Sequence, residues 1–283
     1  MVTASLRQRF LGSRRGTLLG IGIAAAICAW LLGLDPRRLV EGNSLKLAGE
    51  FLAAAFRPAL DYESPVDGAP PFLLVAVQSV LITLRFALLA MTVAVPCAIV
   101  LTFFSTTAWW PDRSVPLWLK AALRGTYIVT RAVIAFARSI HELIWGLLFI
   151  TAVGLSSEAG VIAVAIPFSG ILAKIYAEML EEHARDSQEA LEAIGAGSFS
   201  AFVFGLVPRA LPDLVSYTFY RLECALRTAA VFGFIGIETI GYRIKLASDE
   251  FHYREIWTYL YLLFAAIALI EWWGASIRKR LRD

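Results

Sequence analysis

Charged and polar side chains lie inside two of the most apolar stretches of this sequence, and their types suit the binding of an anion. The candidates are Arg138, Ser139, His141 and Glu142 in one stretch, and Arg221, Glu223 and Arg227 in another. A charge inside a membrane is costly unless it is paired or faces water, so such residues mark candidate functional positions. Arginine binds oxyanions through two N–H donors at once. These stretches therefore predict a route for an anion.

The depths of the arginines are consistent with a shared site. Counted at about 1.5 Å per residue from the same side, Arg138 lies roughly 18 Å, Arg221 about 15 Å and Arg227 about 24 Å along its stretch. Because residues 126–153 are too many for one straight crossing, we expect a break near His141, where Ser139 caps a second half-helix. The N-terminal N–H groups of that half-helix would add donors to the anion route.

The same residues are also spaced for pairing within one helix. Glu223 and Arg227 lie four positions apart, as do Arg138 and Glu142, and this spacing allows ion pairs along a helix. Structural pairing, lining of a substrate route, and extension of the long side chains towards the membrane interface are three interpretations, and the first two can coexist. His141 is expected to be a hydrogen-bonded interior residue rather than a proton relay or metal ligand.

An enzyme site is not indicated. The three histidines, His141, His183 and His252, are scattered, and the sequence has no HExxH pattern and no clustered nucleophile and base. It also has no GxxxxGKS/T phosphate-binding loop, so any ATP chemistry would belong to a partner. We therefore expect no catalytic residue, no metal site and no cofactor in this chain.

The composition places these charges in a membrane protein. Of 283 residues, 58% are hydrophobic and 17% are charged, and the mean hydropathy is +0.67. A spanning helix needs about 20 mostly apolar residues. Six predicted spans lie at 16–34, within 72–104, and at 126–153, 158–176, 211–236 and 256–273. The sequence thus predicts an all-α integral membrane protein with six transmembrane helices.

Six spans place both termini on one side of the membrane, and the basic residues indicate which side that is. Lysines and arginines are more frequent on the side of the termini, where Arg278, Lys279 and Arg280 follow the last span. Basic loops stay in the cytoplasm, so both termini are expected there. The predicted organisation is a cytoplasmic arm, first span and external segment at 1–71, a core at 72–275 and a basic tail at 276–283.

The connection between the fourth and fifth spans, at about 178–210, is long and acidic. A narrow, mostly apolar stripe recurs at helical spacing, and it consists of Leu180, Ala184, Ser187, Leu191 and Ile194. This pattern predicts a solvent-facing amphipathic helix that ends at the glycines of positions 195 and 197. The helix is either a solvated loop that packs on its own protein or a docking surface for a cytoplasmic partner.

Part of this connection resembles the EAA loop of bacterial ABC importer permeases. Glu189, Ala190, Gly195 and Pro208 match that loop, whereas Leu191, Gly205 and Val207 depart from it. The runs 138–145, 152–155, 211–218, 220–223 and 227–241 resemble the phosphonate permease family, and the likeness covers residues 72–275. The resemblance implies that an ATPase subunit docks on the segment that carries Glu189, Ala190, Leu191, Gly195 and Pro208.

The resemblance also implies an architecture and a function. It implies a permease of the type I, MetI-like architecture in a bacterial inner membrane, which imports phosphonate, phosphite or phosphate-like oxyanions by alternating access. Two copies of the chain are expected to form a homodimer. The homodimer would bind two cytoplasmic ATPase subunits and an extracytoplasmic substrate-binding protein, and the ATPase subunits would bind ATP and Mg. The alternatives are an importer permease for another small anion or solute, and a self-contained channel or secondary transporter, for which no internal repeat is visible. No nucleic acid partner is expected.

Overall fold

The computed structural model describes residues 2–33, 44–64, 68–110, 116–183 and 185–282, and within these ranges it contains helices and no strand. The α-helices are α1 (Val2–Leu31), α2 (Ser44–Ala55), α3 (Phe72–Ser105), α4 (Leu117–Ser139), α5 (Glu142–Val153), α6 (Ser157–Glu182), α7 (Asp186–Ala193), α8 (Ser198–Ala201), α9 (Val207–Phe232), α10 (Ile240–Asp249) and α11 (Tyr253–Arg282). A π-helical turn, Phe202–Leu206, joins α8 to α9, and a 3-10 turn, Gly233–Ile235, follows α9. The all-α prediction is confirmed.

The chain forms two compact units. The first, Met1–Phe56, contains α1 and α2. The apolar part of α1, Gly16–Leu31, corresponds to the first predicted span and is shorter than the other spanning candidates. α2 lies in the predicted external segment and is a helix that the sequence analysis does not predict. Residues 34–43 and 65–67 of that segment lie outside the described residues.

The second unit, Arg57–Asp283, contains the remaining predicted spans. α3, α6, the helical run Ser198–Ile235 and α11 are each long and apolar enough to cross a membrane. The third predicted span consists of α4 and α5 with an 87° bend between them. α5 ends beside the start of α6, whereas Arg131 of α4 donates to Glu181, near the other end of α6, over 3.3 Å. The bent pair therefore crosses the bundle once.

The central helix of this unit is α6, because α3, α4, α5 and α9 all pack against it. Small residues such as Ala163, Ala173 and Gly170 line these contacts, as is typical where helices approach closely inside a membrane. A Cβ added to Gly170 would lie 3.1 Å from the Cβ of Ala137 in α4. We call the end of the bundle that carries α7 the α7 end, and the opposite end, which carries α10, the α10 end.

The segment that precedes α3 packs on the first turn of α11 at the α10 end. One carboxylate oxygen of Glu63 accepts hydrogen bonds from the backbone N–H groups of Arg254, at 2.7 Å, and Glu255, at 3.1 Å. The Glu255 carboxylate accepts the backbone N–H of Glu63 at 2.8 Å. The first N–H groups of a helix have no partner inside the helix. Glu63 therefore caps α11 from a position 191 residues away in sequence.

The connection between α6 and α9 differs from the single amphipathic helix predicted over residues 180–194. α6 continues to Glu182, and α7 is a separate helix. Leu180 belongs to α6 and is buried beside Phe202 and Leu206, whereas Ile194 is 81% exposed. Ala184 lies outside the described residues. The prediction of one continuous helix was wrong, because the first apolar residue of its stripe packs inside the bundle and the last one faces outward.

Candidate functional site

The break in the third predicted span is confirmed, but its cap is a different residue. α4 ends at Ser139 and α5 begins at Glu142. The Ser139 hydroxyl donates to the carbonyl of Phe136 at 2.9 Å, within α4. His141 is the N-cap of α5, and its Nδ1 accepts the backbone N–H of Leu143 at 3.3 Å. The prediction that Ser139 caps α5 was wrong, because its hydroxyl bonds to its own helix.

Glu142 bonds across the bundle rather than along its own chain segment. The hydroxyl of Thr228 in α9 donates to Glu142 Oε1 at 3.1 Å, and His141 Nε2 lies 3.8 Å from Glu142 Oε2. The bend separates Glu142 from Arg138, so the ion pair predicted for these two residues does not form. His141 is hydrogen-bonded as expected, but its side chain is exposed rather than interior.

The ion pair predicted between Glu223 and Arg227 is confirmed. The Arg227 guanidinium donates to the Glu223 carboxylate one turn away in α9. The Glu223 side chain is mostly buried, whereas that of Arg227 is 56% exposed. The charge of Arg227 is therefore balanced within its own helix.

Arg138 and Arg221 differ from Arg227, because neither has a carboxylate partner among the described residues. Arg221 Cζ lies 4.3 Å from the ring centroid of Phe168 in α6, and its Nε is buried without a hydrogen-bond partner. Arg138 is exposed at the end of α4. Tyr217 lies one turn before Arg221 in α9. Both arginines were predicted from the sequence, whereas Phe168 and Tyr217 were not.

α9 has two chemically different faces. At 3.6 residues per turn, one face carries polar side chains, which are Asp213, Ser216, Tyr217, Tyr220, Glu223 and Arg227. The opposite face is mostly apolar and meets α3 through Leu211, Val215, Thr218 and Leu222. The polar face is only partly covered within the single chain. Because such a face is costly in lipid, it is expected to meet water or another protein surface.

A cavity of about 630 Å³ opens beside this polar face at the α7 end. It is lined by the end of α6 and the first half of α9, through Met179, Glu182, His183, Asp213, Ser216, Tyr217 and Tyr220. His183 Nε2 lies 3.3 Å from Asp213 Oδ2, and His183 Nδ1 forms a 2.8 Å hydrogen bond with the Met179 carbonyl. The sequence analysis misses this cavity, although polar residues three and four positions apart in α9 were a visible signal.

The side chains around the cavity and the bend carry charges of both signs. In the part of the chain that the structure describes, no group of three or more His, Cys, Asp or Glu side chains is arranged to hold a metal ion. Arg221 and the hydroxyls of Tyr217 and Tyr220 can donate hydrogen bonds, whereas Glu182 and Asp213 bring carboxylates to the cavity. Among these groups the Arg221 guanidinium is the one that favours an oxyanion.

α7 is fastened to the bundle through one face. Gln188 is buried, and its Nε2 donates to the Ala108 carbonyl at 2.9 Å. The backbone of α7 lies against Gly205, where an added Cβ would come 3.0 Å from the Gln188 nitrogen. Arg209 in α9 donates to the Ser187 hydroxyl at 3.0 Å. These contacts join α7 to the start of α9 and to the segment after α3.

The other face of α7 is open. Glu189 and Ala190 are exposed, and Leu191 is half-buried. Pro208 does not lie on this face, since it belongs to the first turn of α9. The helix continues upstream of Pro208 through the π-helical turn Phe202–Leu206, and the neighbouring Arg209 bonds to α7. Pro208 thus lies in the element on which α7 packs, whereas Glu189, Ala190 and Leu191 lie on α7 itself.

Gly195 ends α7 by a specific backbone arrangement. The N–H of Ala196 donates to the Leu191 carbonyl, and the N–H of Gly195 donates to the Glu192 carbonyl, both at 3.0 Å. Gly195 has a φ of +97°. This pair of bonds is the Schellman motif, which requires a left-handed residue and therefore favours glycine. Gly195 thus sets the length of α7.

The sequence is similar to membrane components of known transport systems. The family model described as "Binding-protein-dependent transport system inner membrane component" matches residues 98–282. A Stutzerimonas stutzeri protein provisionally named as the phosphite transport system permease HtxE is 39% identical over 158 residues, which are 56% of this chain and 60% of that protein. The phosphate-import permease protein PhnE of Mycolicibacterium smegmatis is 27% identical over 260 residues, which are 92% of this chain and 44% of that protein.

The fold also matches solved structures. An inward-facing structure of the MetNI methionine ABC transporter gives a TM-score of 0.60 at 21% identity, and the match covers 75% of this chain and 99% of that chain. At this identity the likeness concerns the fold alone. The chain spans less than two thirds of the length of the two curated relatives described above.

Proposed function

This chain belongs to the binding-protein-dependent transport system inner membrane component family and is a multi-pass membrane protein, and on that premise we propose that it is the permease subunit of an ATP-driven importer of phosphonate, phosphite or phosphate-like oxyanions. The observation that carries this proposal is α7, a short helix that is fastened to α9 by one face and open on the other. Such a helix is suited to pass the movement of a docked partner to the spanning helices.

The ATPase subunit docks on the open face of α7, through Glu189, Ala190 and Leu191, with Gly195 fixing where the helix ends. Movement of α7 is transmitted to the start of α9 and to the segment after α3, because the α7 backbone contacts Gly205 and the Gln188 side chain bonds to the Ala108 carbonyl. Pro208 takes part indirectly, through the element on which α7 packs. ATP and Mg bind in the partner, and this chain performs no covalent chemistry.

The substrate class is supported by two independent features. The relatives described above are named for phosphite and phosphate transport. The mid-bundle residues include arginines that have no carboxylate partner among the described residues. The route predicted from the sequence comprises Arg138, Ser139, His141, Glu142, Arg221, Glu223 and Arg227. A strongly hydrated oxyanion needs such donors to replace its water in a region of low dielectric constant.

A second copy of the chain covers the polar face of α9. A face with Asp213, Tyr220 and Arg227 is costly in lipid but suits an interface between two copies that encloses a route for the solute. The homodimer has two-fold symmetry, so each residue lines this route twice. An extracytoplasmic binding protein delivers the substrate at the α10 end.

The α7 end faces the cytoplasm in this proposal. The basic residues at the end of α11, among them Arg278 and Lys279, lie on the same side as α7, as the positive-inside rule requires. With the first predicted span counted, both termini are cytoplasmic.

The test uses a bacterial host without its own uptake of phosphite and phosphonate. The chain is expressed with the ATPase and binding-protein genes that neighbour it, and uptake of radiolabelled phosphite is measured. We expect uptake only when the chain and an active ATPase are both present, and its loss in Glu189→Lys with the chain still inserted in the membrane. Uptake that persists without the ATPase would support a channel or secondary transporter instead. Uptake of an unrelated anion such as sulfate, but of none of the phosphorus oxyanions, would refute the substrate class.

A further inference from the structure

Four arginines of α4 and α9 fall into two groups. Arg227 is neutralised by Glu223, and Arg131, nearer the α7 end, is neutralised by Glu181. Arg138 and Arg221 have no carboxylate partner in the described ranges. A positive charge in the middle of a membrane protein is unfavourable unless an anion or water balances it. The two arginines therefore leave a charge that a passing anion can balance.

α6 brings the two arginines to the same level of the bundle. The ring of Phe168 supports the Arg221 guanidinium, with Cζ 4.3 Å from the ring centroid. Two residues further along α6, Gly170 packs against the end of α4. A Cβ at Gly170 would lie 3.2 Å from the Ile134 carbonyl and 3.5 Å from the Arg138 nitrogen. The backbone of Arg138 and the side chain of Arg221 thus meet α6 within one turn.

The contact with Phe168 orients Arg221 without neutralising it. Phe168 is almost completely buried and packs in the main core, so its ring has a fixed position. A guanidinium that stacks on a ring keeps its N–H donors in its own plane, where they can reach an oxyanion. The Nε of Arg221 is buried and unpartnered, which is unfavourable until an acceptor arrives.

The cavity at the α7 end approaches this place. Its lining includes Tyr217, which lies one turn before Arg221 in α9. The cavity has a polar lining that includes Ser216 and Tyr220, so water can enter it. The cavity therefore brings water to within one turn of Arg221, although Glu182 and Asp213 also line it.

From these observations we propose that Arg138 and Arg221 form an oxyanion-binding site halfway along the bundle, with Phe168 as a positioning residue, whereas Glu223 and Arg227 form a neutral structural pair. The site rests on the proposed function, and it binds the phosphorus oxyanion transiently during translocation. Both arginines donate to the anion, and Arg221 does so through two N–H groups. Selection of an oxyanion thus occurs inside the permease as well as in its binding protein.

The experiment measures phosphite uptake by the complete complex, normalised to the amount of assembled complex in the membrane. Arg138→Gln and Arg221→Gln each remove a charge-assisted donor, so uptake should fall roughly 10- to 150-fold. Arg221→Lys keeps the charge over Phe168 but loses the paired N–H geometry, and it should retain more uptake than Arg221→Gln. Arg124→Gln is the matched control, because Arg124 is an exposed arginine of the same helix, α4, about 21 Å before Arg138. Its uptake should stay near that of the unaltered chain.

Phe168→Leu tests the positioning role with a side chain of similar burial that has no aromatic ring. We expect a raised KM for phosphite with normal assembly, because the guanidinium loses its support while its charge remains. An effect on assembly alone, with an unchanged KM, would assign Phe168 to packing.

Two results would overturn the site. The first is uptake at the level of the unaltered chain in both glutamine variants. The second is loss of assembly in all three arginine variants, Arg221→Lys included, which would make the arginines structural. Failure of the proposed function is distinguishable, because the unaltered complex would then take up no phosphorus oxyanion at all.

Discussion

Replacing Gly205 by alanine should loosen the attachment of α7 to the bundle. An added Cβ would lie 3.0 Å from the nitrogen of Gln188 and 3.1 Å from its Cα and from the carbonyl carbon of Ser187. All three are backbone atoms, which cannot rotate away as the end of a side chain could. α7 must therefore move by a few tenths of an ångström or lose its close contact with α9.

The expected cost is that of overpacking a tight contact, about 1–3 kcal/mol. In an equilibrium between attached and displaced α7 this corresponds to roughly a 5- to 150-fold shift. Uptake per assembled complex should fall, because the ATPase then pushes on a helix that no longer holds its position against α9. ATP hydrolysis should fall less than uptake, since the open face of α7 is unchanged.

The assay compares uptake and ATP hydrolysis in membranes that hold equal amounts of complex. Gly197→Ala is the matched control, since a Cβ there meets nothing within 4 Å and the residue has an ordinary φ of −70°. The reasoning is refuted if Gly205→Ala transports and hydrolyses as Gly197→Ala does. A Gly205→Ala chain that no longer inserts would show that this contact is needed for folding rather than for coupling.

Three further predictions follow from the structure. Gly195→Ala should destabilise the end of α7 by about 1 kcal/mol, because alanine is strained at a φ of +97°. Less ATPase should therefore copurify with this variant. Copurification equal to that of the unaltered chain would contradict the capping role. Glu63→Ala should lower the thermal midpoint of the purified protein, because it removes a helix cap worth about 1–2 kcal/mol. Glu63→Gln should lower the midpoint less, since its side chain keeps an acceptor. A Glu63→Ala midpoint equal to that of the unaltered protein would contradict the capping role. A cysteine at Ser64 should react with an impermeant thiol reagent in intact cells and one at Ser200 only after permeabilisation; the reverse pattern would refute the orientation.

Sequence patterns predicted the break in the third span but not its chemistry. The length of 126–153 was sufficient to indicate two half-helices. The cap could not be assigned, because Ser139 and His141 can both accept an N–H, and the choice depends on where α4 ends. The spacing of Arg138 and Glu142 predicts a pair only in a continuous helix, and the bend removes that condition. Glu223 and Arg227 lie in an unbroken helix, so the same rule succeeded there.

Contacts between distant segments were beyond the reach of sequence spacing. Nothing in the sequence pairs Arg221 with Phe168, or Glu63 with the start of α11. The helix predicted over 180–194 failed for the same reason. Its apolar spacing was regular, yet Leu180 is buried by Phe202 and Leu206, which belong to another part of the bundle.

α9 links the coupling surface to the proposed oxyanion site. Arg209 in its first turn bonds to α7, Arg221 carries the unpaired charge, and Thr228 near its end bonds to Glu142 at the start of α5. α9 is helical from Val207 to Phe232 with Pro212 inside it, so a displacement at Arg209 is passed to Arg221, about 18 Å further along, through a helix that can bend at Pro212. Arg138 belongs to a different helix, α4, which ends at the bend. Movement of α7 would therefore change the separation of Arg221 from Arg138, and with it the affinity of the site for the anion. Release of the substrate then follows from moving one donor away from the other, without any change in the charge of either arginine.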